Sequence, residues 1–196
     1  MLPGPSGEGP YQQRMRENAK AKRLVAEKAC ALISPGDTLF IDAGSSTLFF
    51  AEEVVKIASL TVITNSAEIA RVVASSENRA SVFLLGGEYH ADNRAAMGPI
   101  TIAQLACFHA HHVVLASGAI DAIAGAMSYD FDEAAVARAM LVGSENTILL
   151  TDSSKFCRIA PFVIGGLDQF DHLICEAEPG QLLKDALAQN NVNVIC

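Results

Sequence analysis

The run Phe40-Ile-Asp-Ala-Gly-Ser-Ser-Thr47 brings together residue types that can hold an anion. The apolar stretch Leu39-Phe40-Ile41 stops at Asp42, a short turn containing Gly44 follows, and a helix-like pattern begins near Thr47. A strand that feeds a helix through such a turn leaves backbone N–H groups without internal partners, and the helix dipole favours negative charge there. Ser45, Ser46 and Thr47 add hydroxyl donors, and Gly44 lets a ligand approach the backbone closely. The chemistry this suits is capture of a phosphate, in the first instance that of a small sugar phosphate. An ordinary strand-to-helix turn capped by Ser or Thr has the same composition, and from this stretch alone it is the simpler reading.

The elements that would position this turn alternate. Apolar strands are expected at 38–41, 60–63, 82–85, 113–116 and 147–150, then at 162–164, 172–175 and 192–195. Helices are expected at 11–33, 48–57, 67–74, 100–107, 132–141 and 179–188. In the first of these helices Leu24, Val25, Ala29, Leu32 and Ile33 fall on one face. Short continuous apolar strands between amphipathic helices predict an α/β fold with a mostly parallel sheet flanked by helices. The polar loop 88–97 is long enough to be a candidate lid.

Each strand runs at once into small or polar residues: Asp42 to Thr47, then Thr64-Asn65-Ser66, Gly86-Gly87-Glu88, Ser117-Gly118 and Thr151-Asp152-Ser-Ser-Lys155. In a parallel sheet these carboxyl ends share one edge, where ligands bind in open α/β folds. Polar strand-to-helix loops explain part of the pattern on their own. They explain less well why Lys155 shares an edge with a Gly-Ser-Ser-Thr turn. Glu133 and Asp132 open a helix, where the dipole favours acidic residues; they equally suit acceptors for sugar hydroxyls.

Composition bounds the function. The chain has 196 residues and 51% hydrophobic residues without Trp. Roughly 70% of the unfolded surface can be buried at this size, so the core needs no disulfide or metal. The alanine-rich aliphatic content leaves room for a subunit interface. A net charge of −8 argues against nucleic-acid binding by this chain alone. Arg14 to Arg23 reads as the solvated face of a helix. Five scattered cysteines read as free thiols in a reducing cytosol. No run is long enough to span a bilayer, and no signal peptide is evident. His109, His111 and His112 favour a polar surface turn over a metal site. There is no P-loop, nucleophile elbow or His-Glu-x-x-His sequence. The Gly- and Pro-rich residues 1–10 are expected to be a disordered tail ahead of one domain, 11–196.

Taken in order, these motifs resemble one family. Lys22, Ala26-Glu-Lys-Ala29, Ile33-Ser-Pro-Gly-Asp-Thr-Leu-Phe-Ile-Asp-Ala-Gly-Ser-Ser-Thr47, Thr61-Val-Ile-Thr-Asn65, Leu85-Gly-Gly-Glu-Tyr89, Met97-Gly-Pro99, Glu133-Ala-Ala-Val-Ala-Arg-Ala-Met140 and Asp152-Ser-Ser-Lys-Phe156 look like the effector domain of DeoR-type transcriptional regulators. The resemblance covers nearly all of 11–196. It implies a fold similar to ribose-5-phosphate isomerase and the coenzyme A transferases. It also implies a cytoplasmic, homo-oligomeric sensor of a phosphorylated sugar or related metabolite, without cofactor or enzymatic activity. Such a sensor alters the operator affinity of a fused helix-turn-helix, as in repressors of sugar-metabolism operons. That helix-turn-helix is not expected within residues 1–10.

Carried onto this chain, Asp42, Gly44, Ser45, Ser46 and Thr47 match the family's phosphate-side loop. Asn65, Gly86, Gly87, Gly118, Glu133, Asp152 and Lys155 match other pocket positions. The chain departs from the family pattern at three places. His90 stands where a basic residue is usual, with Arg94 a possible substitute. His111-His112 stand where an Asp is usual, and Cys157 where Gly is usual. An isomerase-like enzyme using Asp152, Glu133 and Lys155 as acid/base groups is the alternative the fold permits. An interaction module that has lost its ligand is a third reading.

Overall fold

The computed structural model describes residues 9–196. The tail expected at residues 1–10 therefore lies mostly outside the described residues. Two helices, α1 (Tyr11–Arg16) and α2 (Ala19–Cys30), precede β1 (Thr38–Ile41), α3 (Ser45–Val54), β2 (Thr61–Thr64), α4 (Ala67–Ala74) and β3 (Ser81–Leu84). A hairpin of β4 (Glu88–His90) and β5 (Ala95–Met97) leads to α5 (Pro99–Leu105) and β6 (Ala110–Ala116). Then come β7 (Ala119–Asp121), β8 (Gly125–Ser128), α6 (Phe131–Val142), β9 (Ser144–Leu150), β10 (Phe162–Gly165), β11 (His172–Ile174), α7 (Gln181–Gln189) and β12 (Asn193–Ile195).

Seven strands form the main sheet in the order β12-β11-β9-β6-β1-β2-β3, every neighbouring pair parallel. β1 pairs with β2 on one side, Phe40 opposite Ile63, and with β6 on the other, Phe40 opposite Val113. The chain thus winds outward from β1 to β3, then returns to lay β6 against β1 and winds the other way. That reversal makes β1/β6 the topological switch point, where the loops after the strands diverge and leave a crevice.

Alternation along β1 feeds both faces. Leu39 and Ile41 join a core with Val25, Phe50, Ile69 and Val73, beneath α2, α3 and α4. Phe40 joins the opposite core with Leu105, Val136, Met140, Leu183 and Leu187, beneath α5, α6 and α7. All three β1 side chains are fully buried. Burial of each such side chain is worth about 1.5–3 kcal/mol.

The expected layout is corrected in four places. The single helix expected at 11–33 is broken: Glu17 is extended and Asn18 takes the left-handed conformation (φ 54°) before α2 starts. Asn tolerates that conformation better than most residues. Leu24, expected on the apolar face, is 42% exposed, while Val25, Ala29 and Ile33 are buried. The candidate lid is a β-hairpin whose return strand is docked: Ala95, Ala96 and Met97 are buried, and the Ala96 N–H donates to the Asn65 carbonyl at 2.8 Å. β7 and β8, unexpected, form an antiparallel sheet with β10.

Of the histidines, His111 and His112 lie within β6, beside Asp37, and His109 meets Glu145 at 3.2 Å. The cysteines are free thiols, but Cys107, Cys157 and Cys196 are exposed and only Cys175 is fully buried.

Candidate functional site

The crevice at β1/β6 holds a cavity of about 670 Å³ of space free of protein atoms, the solvent at its mouth included. Small-molecule sites occupy roughly 300–1,000 Å³. The loops after β1, β6 and β9 supply Asp42 to Ser46, Ala116 to Gly118, and Thr151, Asp152, Ser154 and Lys155. Ser128 and Glu133 come from β8 and α6, and Arg14, Glu17, Asn18 and Lys22 from the N-terminal helices.

α3 begins three residues earlier than its periodicity suggests, so Ser45, Ser46 and Thr47 form its first turn. Gly44 is its N-cap and supplies no side-chain acceptor. By contrast, Ser66 caps α4 and Asp130 caps α6 through side-chain oxygens. The first turn of α3 therefore presents backbone donors and the positive end of its dipole to the cavity. Lys22 Nζ donates to Ser45 Oγ at 3.0 Å and to the Arg14 carbonyl at 2.5 Å, setting a cation beside that turn.

Carboxylates line the other walls. Asp42 follows β1 and is 5% exposed. Burial, reinforced by the nearby Glu133 charge, pushes its carboxyl well above the usual Asp range; the Ala43 N–H and Arg14 pull it back in part. Glu133 Oε2 accepts from Ser128 Oγ at 2.9 Å, and Glu133 Oε1 lies 3.9 Å from Arg14 Nη2. Asp130 caps the helix that carries Glu133, accepting from the Asp132 and Glu133 N–H groups at 2.8 and 3.0 Å. Asp152 Oδ1 accepts from the Ser154 N–H, the Ser154 hydroxyl and Asn18 Nδ2. That caps the short 3-10 turn Ser153–Lys155, which brings Lys155 to the cavity. Ser117 Oγ is buried on the wall without a hydrogen-bond partner among the described residues.

The structure thus brings Asp42, Gly44, Ser45, Ser46, Gly118, Glu133, Asp152 and Lys155 to one cavity. Thr47 and Asn65 stand behind the wall. Thr47 Oγ1 donates to the Gly44 carbonyl at 3.1 Å, and Asn65 Oδ1 accepts the Ala43 N–H. Gly86 and Gly87 are not brought to it. Their glycines answer to packing against α5. The Gly86 carbonyl accepts from Thr101 and Gln104, and a Cβ on Gly87 (φ 152°) would lie 2.1 Å from Thr101 Oγ1.

Arg14 and Lys22 correct the reading of 14–23 as a solvated face: they are 9% and 5% exposed and turn inward. A signal for Lys22 was present. It occupies the buried stripe Lys22, Val25, Ala26, Ala29 of α2, a charge at an apolar position. Among the described residues no group of three or more His, Cys, Asp or Glu could hold a metal ion. No helix among them is long and apolar enough to cross a membrane.

The family model of the DeoR C terminal sensor domain matches residues 17–177, and the chain belongs to that family. It is 28% identical over 185 residues to the HTH-type transcriptional repressor CsqR of Escherichia coli K12, covering 94% of this chain and 70% of the relative. It is 25% identical over 193 residues to the Glycerol-3-phosphate regulon repressor of the same strain, covering 98% of this chain and 76% of the relative. Its relatives are thus transcriptional repressors rather than enzymes. The fold is shared with ribose 5-phosphate isomerase A of Methanocaldococcus jannaschii, with a TM-score of 0.53 at 14% identity. That match covers 71% of this chain, and the chain spans 55% of the isomerase.

Proposed function

We propose that this domain senses a phosphorylated sugar or polyol, and that binding changes the operator affinity of a helix-turn-helix domain to which it is joined in the regulator. One observation carries the reading: the uncapped start of α3 meets Lys22 and Lys155 in the same cavity as Asp42, Glu133 and Asp152. Backbone donors with two ammonium groups suit a phosphate. Carboxylates and the unpaired Ser117 hydroxyl suit the hydroxyls of a polyol. A relative that carries glycerol 3-phosphate in its name is consistent with this ligand class. A cytoplasmic site of action fits a metabolite-responsive repressor. In the proposed arrangement Ser45, Ser46, Lys22 and Lys155 hold the phosphate, and Asp42, Glu133 and Asp152 read the hydroxyls.

A thermal-shift screen of phosphorylated sugars and polyols, each beside its unphosphorylated parent, tests this. A ligand at a hundred times its dissociation constant stabilises by about 2.7 kcal/mol, a rise in Tm of roughly 5–10 °C at this size. The expected result is a rise with one phosphorylated compound, absent with its parent and lost in Lys155→Ala and Ser45→Ala. A response to the parent equal to that of the phosphorylated compound would overturn the phosphate assignment.

A further inference from the structure

α1 is not a decoration outside the fold; it reaches the cavity wall through Arg14. Tyr11 is buried, its ring lying 5.8 and 5.7 Å from the guanidinium carbons of Arg14 and Arg94. Arg14 Nη2 donates to Asn93 Oδ1 at 2.8 Å in the hairpin turn, and the same group faces Glu133. The Arg14 carbonyl, near the end of α1, is gripped by Lys22, which also holds Ser45 at the start of α3. One ammonium thereby joins α1 to the turn where a phosphate would sit.

The joint between α1 and α2 is equally tied to the cavity. The chain turns there through extended Glu17 and left-handed Asn18. Asn18 Nδ2 donates to Asp152 Oδ1 at 3.0 Å and to Ser154 Oγ at 3.1 Å. The groups that hold α1 in place are thus in large part the groups a phosphorylated polyol would engage. A phosphate beside Ser45 competes with the Arg14 carbonyl for Lys22, and an anion outbids a neutral carbonyl for an ammonium. A polyol hydroxyl at Asp152 competes with Asn18 for the same carboxylate.

We propose that α1 is the output arm of this pocket: ligand binding draws Lys22 away from the Arg14 carbonyl and Asp152 away from Asn18, the contacts that hold α1, and the arm loosens about the Asn18 elbow. The proposal rests on the phosphate-pocket reading above. It gives that site a differential contact between two positions of the chain's leading helix, which any ligand-driven switch requires. The arm lies directly ahead of the domain, so its release alters the path of whatever segment precedes it.

Amide hydrogen exchange followed by mass spectrometry tests the arm, run on the intact chain with sn-glycerol 3-phosphate, glucose 6-phosphate and inorganic phosphate as probes, beside the thermal shift. Any probe that raises Tm is expected to speed exchange in residues 13–18 by about tenfold. The core strands should be slowed or unchanged. In Asn18→Gly, which keeps the left-handed backbone and loses the tether, the thermal shift should be at least as large as in the wild type, because the ligand no longer competes with Asn18 for Asp152. Exchange in 13–18 should already be fast without ligand and respond little to it. Asn18 is exposed, and Asp152, which loses it in this variant, keeps the Ser154 N–H and hydroxyl as donors. A rise in Tm with unchanged or slower exchange in 13–18 would overturn the arm and leave the pocket assignment standing. An Asn18→Gly exchange response equal to the wild type would overturn the elbow. If no probe in the panel raises Tm, both the phosphate reading and the arm fall together.

Discussion

The side-chain oxygen of Asn65 accepts the Ala43 N–H at 3.1 Å, and the side-chain nitrogen of the same residue donates to the Ala96 carbonyl at 3.1 Å. Asn65 is buried at the end of β2, so one amide ties the turn after β1 to the docked strand of the hairpin. Replacing it with alanine strands a buried donor and a buried acceptor, each worth about 1–3 kcal/mol. Asn65→Ala is expected to lower stability by about 2–4 kcal/mol and Tm by roughly 5–15 °C, measured by calorimetry. A change within about 0.5 kcal/mol would show that the turn holds its shape without the amide.

Asp42 makes stability fall as pH rises. Its carboxyl is raised above the ordinary range by burial and by Glu133, so the folded chain keeps a proton that the unfolded chain has lost. The contribution is fully present below about pH 4, where both states are protonated, and is lost as pH climbs through the raised native value. Asp42→Asn removes this dependence. Urea unfolding across pH should find the variant more stable than the wild type at about pH 8, the gap closing towards about pH 4. A gap that widens on acidification would contradict the assignment.

Asp130 carries the start of α6 and, with it, the placement of Glu133. Asp130→Ala is expected to cost about 1 kcal/mol, or roughly 2–4 °C in Tm. Because the first turn of α6 then frays, the variant should also lose more affinity for a phosphorylated polyol than for inorganic phosphate, read by titration calorimetry. Equal losses would place Glu133 outside hydroxyl recognition.

Gly125 opens β8 with φ 75°, and a Cβ there would lie 2.2 Å from the Gly165 carbonyl oxygen on the paired strand β10. Backbone cannot yield as a flexible side chain does. Gly125→Ala should therefore cost about 2 kcal/mol or more, seen as a fall in the urea midpoint. Gly180, with open space around its Cβ position and an ordinary φ, should accept alanine with little change.

The sheet was legible because its strands are short apolar runs that each stop at a polar residue, as Leu39-Phe40-Ile41 stops at Asp42. The same punctuation located the loops that form much of the cavity. β7 and β8 were not legible: Ala119-Ile-Asp121 and Gly125-Ala-Met-Ser128 are short and rich in Ala and Gly, types that carry little strand preference. Arg14 and Lys22 read as solvated because the basic stretch 14–23 is short and mixed with acidic and neutral residues. Lys22 stands in the apolar stripe of α2, a signal the sequence carries, whereas the inward turn of Arg14 rests on its three-dimensional neighbour Glu133. Gly86-Gly87 misled in the opposite direction. A glycine pair at a strand end suits a ligand cradle, but here it accommodates a neighbouring helix. Sequence reports that a side chain is absent, not what occupies the space.

The winding of the sheet sets an order of assembly on the ribosome. β1 emerges early, but one of its two partners, the Leu39–Ile41 match at His112–Val114, is made only after β2, β3 and the hairpin have been synthesised. Asp152 and Lys155 follow later still, beyond β9. Non-local parallel pairing of this kind is slow to form and leaves strand edges bare meanwhile. A nascent chain therefore carries the turn after β1, with Arg14 and Lys22 beside it, well before the wall opposite them exists. The cavity is among the last features to close, so a chain cut short before β9 would expose the edge of β6 instead of enclosing a site.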